Sequence, residues 1–87
     1  MISSIVLVGH AGDNIDDKFR YIITEHQDSD IRKKPIISKI PCLYWTRNSC
    51  TALQNLKVGQ FVIIRGHIEA DEKNGLYVLV ETIQLFA

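Results

Sequence analysis

The sequence predicts an all-β fold, a five-stranded barrel with one short helix between strands three and four, and three observations carry that prediction. Apolar residues recur mostly with a period of two, the spacing of a half-buried strand. One stretch near residues 48–59 breaks this alternation with an apolar stripe at helical spacing. Near the end, Asn74-Gly75 stands between two apolar runs, the strongest short signal for a tight hairpin.

Taken in order, Ile2–Gly9 is apolar on both faces, as expected of a strand inside a closed barrel or one that pairs with a partner. Gly9, Gly12, Asp13 and Asn14 supply turn chemistry. Lys18–His26, rich in Phe, Tyr and Ile, reads as the second strand, and Gln27–Pro35 as a long exposed loop. The third strand, Ile36–Arg47, sets Ser38, Ile40, Cys42 and Tyr44 on a core-facing side. Lys39, Pro41, Leu43, Trp45 and Arg47 fall on the other side. Asn48 or Ser49 caps a short helix carrying Ala52, Leu53 and Leu56 on one stripe, with Lys57 in its last turn and Gly59 just past its end. Val58–Ala70 is the fourth strand, with Val62, Ile64, Ile68 and Ala70 inward and Phe61, Ile63, Arg65, His67 and Glu69 outward. Gly66 falls on the inward face, where a missing side chain lets a barrel strand coil sharply. The turn Asp71–Gly75 and a fifth strand, Leu76–Phe86, complete the chain. Three strands, a helix and two strands form the order of the oligonucleotide/oligosaccharide-binding (OB) fold.

The 87 residues make a single domain over 1–87. A chain this short buries only about 60–65% of its unfolded surface, so a dimer would help its thin core. The apolar run Ile5–Val8 is too short for a signal peptide, and no stretch approaches a membrane span. Cys42 and Cys50 are the only cysteines, most simply free and reduced, which points to a cytoplasmic protein. Ten basic and ten acidic residues cancel. Arg32, Lys33, Lys34, Lys39 and Arg47 nonetheless form a basic middle with no acid between Asp30 and Glu69, a patch able to track a phosphate backbone.

No metal site or catalytic centre is expected. His10, His26, His67, Cys42 and Cys50 form no close pair of ligand type, and the cysteines stand eight apart. Asp16-Asp17 read as neighbouring solvated acids in a turn. There is no Gly-rich phosphate loop and no Ser or Cys paired with a His at recognisable spacing. No cofactor is implied.

Pro41-Cys42-Leu43-Tyr44-Trp45, the capped segment, Lys57-Val58-Gly59 and Ile64-Arg65-Gly66-His67-Ile68 resemble the second half of bacterial single-stranded DNA-binding proteins, and Ile5-Val6-Leu7-Val8-Gly9 their first strand. A narrower resemblance is to the primosomal replication protein N (PriB) family. It is carried by Ile22-Ile23-Thr24-Glu25-His26, Ile40-Pro41, Lys73-Asn74-Gly75-Leu76 and Glu81-Thr82-Ile83-Gln84-Leu85. The sequence stops at Ala87 without the acidic tail of single-stranded DNA-binding proteins, which favours the primosomal relatives. The loop between strands one and two is shorter than in either family. Arg32 and Ile37 stand where the primosomal relatives carry aromatics.

The resemblance implies single-stranded DNA binding in replication or replication restart, as a homodimer joined through strand one, with a restart helicase and its loading factors as partners. Trp45 matches an aromatic on which a base stacks; the alternative is a Trp packed under a loop. Arg32, Lys33 and Lys34 would close over the strand as a flap holding phosphates, or else form a solvated charge run. Lys39 and Arg47 flank Trp45. Arg65 would contact a phosphate or base edge, or pair with Glu69 or Glu81. Lys73 matches a basic position of the primosomal family, with Asp71 and Glu72 weakening its field. Tyr77 and Tyr21 either stack on bases or form barrel wall. A protein-interaction adaptor of the same fold is the second functional class, supported by the zero net charge and the missing aromatics. An RNA-binding module of the cold-shock kind is disfavoured, because its aromatic-rich strand signature is absent.

Overall fold

Period-two segments form strands because every second side chain can then enter one shared core. The computed structural model describes residues 4–27 and 35–86. Five strands, β1 (Ile5–Asn14), β2 (Phe19–Gln27), β3 (Pro35–Tyr44), β4 (Phe61–Asp71) and β5 (Gly75–Leu85), close into a barrel in the order β1-β2-β3-β5-β4. Every neighbouring pair is antiparallel except β3 and β5. These two run parallel and meet only at Cys42–Val78, Leu43–Leu79 and Tyr44–Val80.

The core is filled by Ile22, Cys42, Leu53, Val62, Ile64, Val78 and Val80, with Ile5, Leu7, Ile40, Tyr44, Leu56 and Ile83 packed against it. The inward set of β3 is therefore as the alternation predicts. Gly66 lies opposite Ile5 of β1 at a register shift between β4 and β5. A Cβ there would stand 2.0 Å from the Leu79 carbonyl oxygen, so only glycine lets the strands approach. The hairpin also follows the sequence. Asp71 accepts the Asn74 backbone N–H at 2.6 Å, and Gly75 takes a left-handed φ of 70°.

Four expectations need correction. First, β1 does not turn at Gly9–Asn14 but runs through it, pairing with β4 over Ile5–His10 and with β2 over His10–Asn14. Gly9 serves close packing, since a Cβ would lie 2.4 Å from the Ile23 carbonyl oxygen. The reversal falls at residues 15–18, where the Asp16 carboxylate accepts the N–H groups of Lys18 and Phe19, both at 2.8 Å. Those two bonds, Phe19 first, hold the Asp16 pKa below its ordinary value. Second, β3 stops at Tyr44, and Trp45 and Arg47 lie in the turn that follows. Third, no continuous helix forms at 48–57. Cys50 has a left-handed φ of 58°, incompatible with a helix begun at Asn48 or Ser49, and a single α-turn remains, Asn55 N–H to Thr51 C=O at 3.0 Å. Fourth, Ile68 and Ala70 are exposed: Ile68 pairs with Val78, the outermost β5 residue still in register with β3, and Ala70 with Leu76, past the end of that pairing and of the buried core. Ile2 and the flap residues Arg32, Lys33 and Lys34 lie outside the described residues.

Candidate nucleic-acid interface

The anchor of the 51–56 segment is Arg20. Alternation from Ile22 points its side chain inward, where it is 2% exposed. Its guanidinium donates to the carbonyls of Gly12 (2.9 Å), Leu53 (3.2 Å), Gln54 (3.3 Å) and Leu56. Burial lowers its pKa, yet an arginine stays charged at any ordinary pH. One side chain thus satisfies carbonyls that a helix would otherwise have consumed, and it ties the third connection to the barrel.

On the opposite side of the same strands lies a second apolar cluster, Leu43, Tyr77 and Leu79 with Phe19. Strand register explains it: Phe19 pairs with Leu43, Leu43 with Leu79, and Leu79 with His67, one row across β2, β3, β5 and β4. The row forms an apolar floor on the outside of the barrel. Tyr77 belongs to that floor. The residue is 4% exposed and its ring meets Phe19 edge-on at 5.2 Å, an arrangement that favours the barrel-wall alternative over stacking on a base.

Trp45 stands at one end of the floor. Its N–H donates to the Val80 carbonyl at 2.8 Å, which fixes its backbone to β5, while the residue is 55% exposed. The ring lines an open pocket of about 520 Å³ with His67, Leu79, Glu81 and Thr82. Arg47, at φ 61° in the turn, donates to Glu69 at 2.9 Å and to the Tyr77 hydroxyl at 3.3 Å. Those bonds, Tyr77 first, raise the Arg47 pKa. His67 lies between two carboxylates, with Nδ1 2.9 Å from Glu81 and Nε2 2.7 Å from Glu69. Glu81 and Glu69 raise the pKa of His67, and His67 and Arg47 lower that of Glu69.

At the other end, the exposed Lys39 places its Nζ 5.9 Å over the Tyr21 ring. Lys73 at the hairpin tip lines a second opening with Asp16, Phe19, Tyr21 and Pro41. Arg65 is exposed on β4, across from Val6 and Thr82, and among the described residues it makes no ion pair with Glu69 or Glu81. The fold therefore gathers Lys39, Trp45, Arg47 and Lys73 around one apolar floor and leaves Arg65 at its margin. His67, Glu69 and Glu81 were not among the expected site residues. The outward position of His67 and Glu69 on β4 was a readable signal, whereas their convergence with Glu81 depends on the β4–β5 register.

A crystal structure of the small single-stranded DNA-binding protein from Streptomyces coelicolor is similar to this chain with a TM-score of 0.71. The match covers 99% of this chain and 95% of that one at 13% sequence identity. This chain has the OB-fold. No protein-family profile matches its sequence, and no curated protein sequence does. Among the described residues no group of three or more His, Cys, Asp or Glu side chains is placed to hold a metal ion, and no helix is long and apolar enough to cross a membrane.

Proposed function

We propose that this chain binds single-stranded DNA across the outer face of β2, β3, β5 and β4, as an accessory factor of replication or replication restart. The observation that carries the proposal is Trp45, an exposed ring on a fixed backbone at the end of an apolar floor. Stacking on such a ring is worth about 1–3 kcal/mol per base and needs no particular sequence. Lys39, Lys73 and Arg65 hold phosphates beside it, Arg47 joins them when it exchanges Glu69 for a phosphate, and Arg32, Lys33 and Lys34 form the flap. The likeness to a small single-stranded DNA-binding protein supports the same reading. The resemblance to the primosomal replication protein N family supports the restart role, a helicase and its loading factors as partners, and a cytoplasmic setting.

The chain acts as a homodimer through the outer side of β1. Val6 and Val8 are 58% and 49% exposed, and Val8 pairs with Ile63 across the β1–β4 ladder. Beside them the exposed Phe61 and Phe86 meet edge-on at 5.5 Å. Covering this face removes apolar surface that a lone barrel leaves in water. Sedimentation equilibrium at micromolar concentration is expected to give twice the 9.9 kDa chain mass, and a clean monomer overturns the dimer.

Titration of a fluorescent mixed-sequence oligonucleotide at low and moderate salt tests the binding itself. Saturable binding that weakens with salt is expected, because bound cations displace counterions from the strand. Silence at low salt instead favours the protein-interaction adaptor, to which the zero net charge and the Glu81 carboxylate beside Trp45 lend support.

A further inference from the structure

The pocket next to Trp45 has an uneven chemistry. Its floor is Leu79, one wall is the indole, and the polar groups facing them are Glu81, His67 and Thr82. A nucleic-acid site gains from positive charge, yet here the ring expected to stack on a base shares its pocket with a carboxylate. Glu81 is held in place rather than loose: its Oε1 is 2.9 Å from His67 Nδ1, and the other imidazole nitrogen is 2.7 Å from Glu69. Glu69 is held in turn by Arg47 at 2.9 Å. The chain Arg47–Glu69–His67–Glu81 thus positions one carboxylate, whose Oε2 makes no hydrogen bond among the described residues. The Glu81 side chain is 54% exposed.

An ionised carboxylate only accepts hydrogen bonds. A base stacked on Trp45 therefore meets an acceptor beside its edge. Cytosine, adenine and guanine each carry an exocyclic amino group that can donate to it, as in the established pairing of Glu or Asp with the cytosine N4 amino group. Thymine and uracil present carbonyl oxygens flanking a single N–H, and a carboxylate repels those oxygens. We infer that the Trp45 pocket is a base-reading subsite in which Glu81 selects amino-bearing bases and disfavours thymine. The inference rests on the single-stranded DNA reading above and adds a sequence preference to a surface otherwise indifferent to sequence.

Fluorescence anisotropy with oligo-dC and oligo-dT of equal length, near pH 8 so that dC stays unfolded, tests it. The unmodified protein is expected to bind dC on the order of tenfold more tightly than dT, the discrimination one good base-edge contact supplies. Glu81→Gln keeps the shape but adds an N–H donor, so the dC:dT ratio should fall towards one while both affinities rise with the loss of negative charge. Glu72→Gln makes the same charge change in the exposed β4–β5 turn, outside both the pocket and the Arg47–Glu69–His67–Glu81 chain, and it should tighten both oligonucleotides while leaving a clear dC preference. Equal affinities for dC and dT in the unmodified protein, or a ratio unchanged by Glu81→Gln, overturn the inference while leaving single-stranded DNA binding intact. Binding of neither oligonucleotide at low salt, in protein that melts cooperatively, removes both.

Discussion

Replacing Arg20 with Met keeps much of the side-chain volume and removes the guanidinium that holds the 51–56 segment. Four carbonyls lose their donor. Those of Gln54 and Leu56 lie in partly buried bonds and can turn to water, whereas the bonds to Gly12 and Leu53 are buried. Each carbonyl left buried without a partner costs about 1–3 kcal/mol. Against this stands relief from holding a cation out of water, which offsets part of the loss. The net expectation is a destabilisation of about 2–4 kcal/mol, a large share of the roughly 5–15 kcal/mol typical of a domain. With a urea slope of about 1.5 kcal/mol per molar, the midpoint followed by circular dichroism should fall by about 2 M. The loss should also be local. Asn55 and Gly59, whose N–H groups bond to Thr51 and Ala11, should exchange their amide hydrogens much faster, beyond the change in core amides. A stability change under about 0.5 kcal/mol, or unaltered protection at Asn55 and Gly59, refutes the reasoning.

Trp45→Ala should weaken single-stranded DNA by about 1–3 kcal/mol with little change in salt slope, because stacking releases no counterions. Its stability should change little, since the ring is more than half exposed; a loss of about 3 kcal/mol would mark it as a packing residue instead. Thiol titration of the native protein near neutral pH should count one reactive cysteine, the exposed Cys50. Cys42 is buried, its pKa pushed up to about 12, and it should react only on unfolding. The raised pKa of His67 makes its imidazolium stabilising below the ordinary value of about 6.5, and that contribution is lost as pH rises through the higher folded value. The melting temperature should therefore fall between about pH 6 and pH 9 more steeply than in His67→Gln, and identical slopes would remove His67 from the account.

The succession of five strands and the β4–β5 hairpin were legible because alternation and Asn74-Gly75 are local signals, although the alternation fails for Ile68 and Ala70 at the end of β4. The inward set of β3 was legible for the same reason. The course of β1 was not, because glycines at 9 and 12 suggest a turn as readily as a strand bent against its neighbour. The connection at 48–57 misled through its helical stripe; the left-handed Cys50 and the carbonyls claimed by Arg20 decide it, and both belong to the folded barrel. Arg20 itself was readable, since Phe19-Arg20-Tyr21-Ile22 puts a charge on the face of a core Ile. Trp45 and Lys39 are exposed, as a residue that contacts a ligand must be, but exposure alone does not assign them a role. The engagement of Arg47 by Glu69, 22 residues on, arises only when β4 is laid beside the turn.

The three-residue parallel contact between β3 and β5 gives the barrel an uneven compliance. The β1–β4, β2–β3 and β4–β5 ladders are longer and antiparallel, the β1–β2 pairing is short and broken by a register shift, and parallel pairing is slightly weaker per residue. The wall can therefore be divided into two leaves, β1-β2-β3 and β4-β5, joined along one brief parallel line at β3–β5, the latch, and by the longer β1–β4 ladder. Trp45 N–H on Val80 is the next rung beyond that latch, so loosening it carries the indole away from Leu79 and Glu81. A strand laid across the outer face of β3 and β5 would span that line, so its grip is expected to depend on whether the latch stays closed.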